Sequence, residues 1–143
     1  MFLRANLPHA YLSGDCVECM ACSDNVVRAG LTPKFMDVST LCSMLDYTPK
    51  SATANKFVAE SESGGVKTFN PDVPDFALQE ISFPTGQHTL PKVDSASITI
   101  VTRGAAKSGD LSLSDGVVIY MSASQEVQIN VEQDLTAYRA FVK

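Results

Sequence analysis

Apolar and polar positions alternate with period two along much of this chain, the pattern of strands with two unlike faces. Near the start, His9 and Tyr11 fall on one side and Ala10 on the other. After a turn signal at residues 12–15, Cys16, Glu18, Met20 and Cys22 share one face, and Val17, Cys19 and Ala21 the opposite one. Ser23-Asp24-Asn25 is a second turn signal. Val26, Val27 and Arg28 form a third short strand, broken at Gly30.

The period then changes. Asp37 is suited to cap a helix, and Val38, Leu41, Met44 and Leu45 recur at helical spacing. The helix is expected to end near Asp46 and Tyr47, with Pro49 just beyond. Residues 48–65 are small and polar and read as a linker. Proline-punctuated extended chain over residues 69–76 leads back to period two. Residues 77–83 alternate; 87–92 is a weak strand; 96–102 is a strong one, with Ile98, Ile100 and Thr102 on one face. Arg103-Gly104 reads as a turn before short strands at 105–107 and 111–113. Residues 116–121 read as a buried apolar run, 127–131 alternate, and 135–142 close the sheet. Many short strands with regular turn signals imply a mainly β protein of antiparallel sandwich or jelly-roll type. The expected organisation is residues 1–36 as strands of a first, incomplete barrel, 37–65 as helix and linker, and 66–143 as a second β unit.

In this reading His9, Tyr11, Glu18 and Arg28 sit near strand centres, where a polar side chain either faces water or is buried with a partner. Together they suggest a wet, charged pocket within the sheet. The 143 residues carry a net charge of −5, which excludes the basic face that a nucleic acid or anionic membrane requires. Against that acidity, Arg28 and Lys34 form a local cationic pair that suits a small anionic ligand; the bland alternative is two solvated surface cations. No apolar run approaches the ~18 residues of a membrane span, and no signal peptide is visible after Met1. The four cysteines are then most simply reduced thiols in a cytoplasmic protein. Cys16, Cys19 and Cys22 have the spacing of an iron–sulfur motif, but a strand sends Cys19 away from the other two and a fourth ligand is missing. They read as small buried hydrophobes.

The segment PHAYLSGDCVECMACSDNVVRAGLTPK, with its flanks from Met1 to about Tyr47, resembles the signature region of type I phosphomannose isomerases. That family resembles cupins, small β-barrels with one metal ion at the mouth. The resemblance implies that His9, in PHAY, is a zinc ligand. It implies that Arg28, in VRAG, is an active-site residue, and that Tyr11, Glu18 and Lys34 bind substrate at the same site. The family's other zinc ligands, a Gln, a His and a Glu, lie upstream of the matching region, so the chain resembles the C-terminal third of such an enzyme. The partners implied are sugar phosphates and the remaining N-terminal part of the enzyme. Residues 113–121 resemble the cupin strand that leads to a histidine ligand, but Ser122 to Glu126 carry no histidine. The second unit thus reads as a cupin repeat without metal, and His88 as a surface or half-buried strand residue.

The implied reaction interconverts mannose 6-phosphate and fructose 6-phosphate by moving a proton between C1 and C2. By itself the chain is expected to be inactive, to lose zinc, and to associate through unpaired strand edges. Two other readings stand beside this one: a non-catalytic cupin-like module binding a sugar or anion, and a purely structural β-sandwich.

Overall fold

The computed structural model describes residues 1–23 and 25–143; the turn signal at Ser23-Asp24-Asn25 includes Asp24, outside the described residues. The chain divides into two compact units, one made of Met1–Cys16 and Ala21–Phe57, the other of Val17–Met20 and Val58–Lys143.

In the first unit the regular element is helix α1, Val38–Met44. Asp37 caps it as expected: Thr40 N donates to Asp37 Oδ1 at 3.0 Å and Thr40 Oγ1 to Oδ2 at 2.7 Å. The apolar stripe of α1 is half-buried at Leu41 and Met44 and exposed at Val38. The three strands expected at residues 9–11, 16–22 and 26–28 are not formed. Their alternation is real, but a strand exists only when its N–H and C=O groups meet a ladder partner, and none is present among the described residues. Phe2 instead packs against Phe57 with ring centroids 5.8 Å apart, and Asp46 N donates to the Asn6 carbonyl at 2.9 Å.

The second unit is one eight-stranded antiparallel sheet. Its strands are β1 (Ser61–Ser63), β2 (Val66–Phe69), β3 (Ala77–Phe83), β4 (Gly86–Leu90), β5 (Ser97–Ser108), β6 (Leu111–Ser114), β7 (Val118–Met121) and β8 (Val127–Phe141). The mainly β, antiparallel architecture read from the sequence is the one observed. β3 has the limits its alternation predicted. Three readings need correction. Gly64 and Gly65, taken as linker, form the two-residue turn of the β1–β2 hairpin; their φ values of 55° and 82° are those such turns demand. The expected turn at Arg103-Gly104 is a bulge within the longer β5, where the register against β8 shifts. The two strands expected at 127–131 and 135–142 are one 15-residue strand.

These long strands organise the unit. The first half of β8 pairs with β4 and the second half with β3, while β5 runs alongside both halves. β5 in turn pairs β7 at one end and β6 at the other. Ile81, Phe83, Leu90, Val101, Leu113, Met121, Ile129, Val131 and Leu135 meet in a single core. The inward face of β5 is Ser97, Thr99 and Val101, so Ile98 and Ile100 face outward. β7 is likewise less buried than its composition predicts, with Val118 and Tyr120 exposed.

Candidate functional site

His9 and Tyr11 alternate in step, and their rings meet edge to face with centroids 5.8 Å apart. His9 Nδ1 lies 2.9 Å from the Leu7 carbonyl two residues back. In the tautomer that donates this hydrogen bond, Nε2 keeps its lone pair, the arrangement common among metal-bound imidazoles. His9 therefore fits the role of one zinc ligand. After Arg28 the backbone turns at Gly30, whose φ is 66°, and Thr32 N donates to the Gly30 carbonyl at 3.0 Å. Thr32 Oγ1 then accepts from Lys34 N at 3.2 Å. This turn separates the two cations in sequence and holds the backbone of the TPK motif.

The expected charged pocket inside a sheet is not what these residues build. His9, Tyr11, Glu18 and Lys34 are exposed, and Arg28 is half-buried. His9, Tyr11, Arg28 and Lys34 belong to the first unit, whereas Glu18 groups with the second. Among the described residues, no three His, Cys, Asp or Glu side chains stand close enough to share a metal ion. The cysteines differ from expectation as well: Cys16 and Cys22 are exposed, and Cys19 is half-buried, with burial pushing its thiol pKa up. Without a sheet around them, they have no core to enter. His88 is half-buried on β4, as read from the sequence. Its ring stacks on Phe83 at 4.5 Å and its Nε2 lies 2.8 Å from the Pro84 carbonyl.

The second unit holds a polar group that the sequence reading missed. Arg139 on β8 is 0% exposed. Strand register sets Gln79 of β3 on one side of it and Thr99 of β5 on the other. Arg139 Nε donates to Ser97 Oγ at 2.9 Å, and Nη1 donates to the Pro91 carbonyl. Burial pulls the Arg139 pKa down from its ordinary value. Its signal was in the sequence: Leu135, Ala137 and Arg139 share one period-two face, so an inward Leu and Ala carry the arginine inward too.

A family model described as the C-terminal part of type I phosphomannose isomerase matches residues 69–108. The mannose-6-phosphate isomerase of Rattus norvegicus is 45% identical over 152 aligned residues, taking in 98% of this chain and 36% of that protein. The Homo sapiens protein of the same name is 43% identical, again over 98% of this chain and 36% of its own length. The chain thus spans little more than a third of the curated relatives it matches. A crystal structure of mannose 6-phosphate isomerase from Salmonella typhimurium, bound to fructose 6-phosphate and zinc, superposes with a TM-score of 0.72 at 28% identity. That likeness covers 87% of this chain and 32% of the Salmonella one.

Proposed function

Because this chain belongs to the type I phosphomannose isomerase family, whose C-terminal region it matches, we propose that it supplies the C-terminal part of a zinc-dependent enzyme interconverting mannose 6-phosphate and fructose 6-phosphate. The observation that carries this reading is the 45% identity to a mannose-6-phosphate isomerase over 98% of the chain. The Salmonella relative with fructose 6-phosphate and zinc bound supports the substrate class and the metal.

In this proposal His9 contributes one imidazole to the zinc site, and the hydrogen bond to the Leu7 carbonyl fixes its tautomer. Zinc, when bound, supplies Lewis acidity and a template for the sugar oxygens. Arg28 is the catalytic cation: its planar, permanently charged fork stabilises the negative charge that develops as the proton leaves the sugar carbon. Tyr11 and Lys34 orient the sugar phosphate through hydrogen bonds and charge, and Glu18 is a third substrate contact. The complete site forms when the N-terminal portion typical of the family, with its further zinc ligands, stands beside this chain. A stable zinc site takes about three or four protein ligands, so the chain alone turns over no substrate and retains no zinc. A cytoplasmic setting suits a sugar-phosphate enzyme with four free cysteines.

Complementation tests the reading. The N-terminal portion of the rat relative, ending where this chain's match begins, is co-expressed with this chain. We expect isomerase turnover and about one zinc per complex, both lost in His9→Ala. Turnover by this chain alone, or a complex that forms but carries neither zinc nor activity, overturns it.

A further inference from the structure

The interior of the β unit contains a cation with no counter-charge. Arg139 forms no ion pair with Asp or Glu among the described residues; the pairs found are Lys67–Glu80 and Lys107–Glu132, both partly exposed. Two of its nitrogens are used, on Ser97 and Pro91, but Nη2 is buried without a hydrogen-bond partner. Its register neighbours share the condition: Gln79 Oε1 and Thr99 Oγ1 are buried and unmatched. Leaving such groups unmatched costs about 1–3 kcal/mol each, and more for a charged one. A purely structural tie between strands would not leave all three unfilled in one row.

A cavity of about 300 Å³ adjoins this row, lined by Val66, Thr68, Gln79, Thr89 and Pro91 among others. Gln79 is the strand neighbour of Arg139, and Pro91 accepts its Nη1 hydrogen bond. The cavity therefore reaches the residues that flank the guanidinium. Gln79 Nε2 now donates to Thr68 Oγ1 at 3.4 Å. Flipping that amide lets Thr68 donate to Oε1 and frees Nε2 as a donor toward the row. Arg139 Nη2, Gln79 Nε2 and the Thr99 hydroxyl would then be donors without a single acceptor among them.

We infer that this row is a binding site for a small oxyanion, of the phosphate or carboxylate class, held by Arg139, Gln79 and Thr99 and entered through the cavity at Thr68 and Pro91. A planar guanidinium fork matches an oxyanion in two places, which a lysine ammonium does not. The site lies wholly in the β unit and stands whether or not the isomerase reading does.

The test is the melting of the full chain against inorganic phosphate, and separately against acetate, at constant ionic strength. A ligand that binds the folded state alone raises the midpoint in a saturable way. We expect a rise of several degrees with at least one of the two anions, which also assigns phosphate or carboxylate. Arg139→Lys is expected to weaken the apparent affinity by about tenfold or more. Gln79→Glu places a carboxylate beside the guanidinium; we expect it to raise the melting point without added anion and to abolish the response. No saturable response to either anion overturns the inference. So does an unchanged response in Gln79→Glu, or a lower melting point for that variant.

Discussion

Arg139 and Ser97 lie across the β5–β8 pair, the guanidinium Nε donating to the hydroxyl at 2.9 Å with both residues fully buried. The bond joins the two longest strands where the sheet interior turns polar. Ser97→Ala removes the acceptor and leaves another guanidinium N–H unmatched, so it should destabilise the unit by about 1–3 kcal/mol. Urea unfolding at several protein concentrations measures this; an unchanged midpoint would show that Ser97 is dispensable to Arg139.

Gly104 sits at the β5 bulge with φ 92°, a conformation that residues with a Cβ rarely adopt. A Cβ there would also collide with the backbone carbonyl oxygens of Gln133 and Asp134 on β8. Gly104→Ala should cost at least about 1–3 kcal/mol, the range for a strained backbone position. Gly109→Ala is the control: it shares a positive φ of 56° but meets no atom within 4 Å, so it should cost less. Equal losses in the two variants would remove the role assigned to close strand approach.

Ile81, at 0% exposure, lies within the core where β3 meets β8. Its truncation to Ala should cost about 2–5 kcal/mol. Ile98→Ala, at a position 55% exposed, should cost far less although it deletes the same atoms. Comparable losses would mean that the outward face of β5 is covered in solution.

The Asp37 carboxyl is held below its ordinary value of 3.8, first by the backbone N–H of Thr40 and then by its hydroxyl. A depressed carboxylate pKa stabilises the fold fully above the unfolded value, and that contribution is lost as pH falls through the folded one. Asp37→Ala should therefore reduce the helical signal of α1 at neutral pH, and the wild type should approach the variant as the solution is acidified below the ordinary carboxylate range. Circular dichroism across that range measures it; a difference that persists in strong acid would place the capping contribution elsewhere.

Features that rest on a few adjacent residues were legible in the sequence. The cap at Asp37 and the limits of β3 needed only neighbouring positions, because a cap bonds three residues ahead and alternation is local. The PHAY and VRAG motifs likewise carried the family resemblance. The Gly64-Gly65 hairpin was equally local; its signal was present and was read as linker. By contrast, nothing near Arg103 could show that β5 continues through it, because what carries the strand past Gly104 is its pairing to β8, some thirty positions away.

The sequence by itself therefore determined the class of fold, the helix and its cap, and the family to which the chain belongs. The tertiary structure alone decided which alternating stretches became strands, since an extended segment is a strand only when a distant partner accepts its hydrogen bonds. It also decided which face of each strand looks inward. Period two sorts residues into two sets without saying which is buried, and so Ser97, Thr99 and Arg139 entered the interior while Ile98 and Tyr120 remained outside.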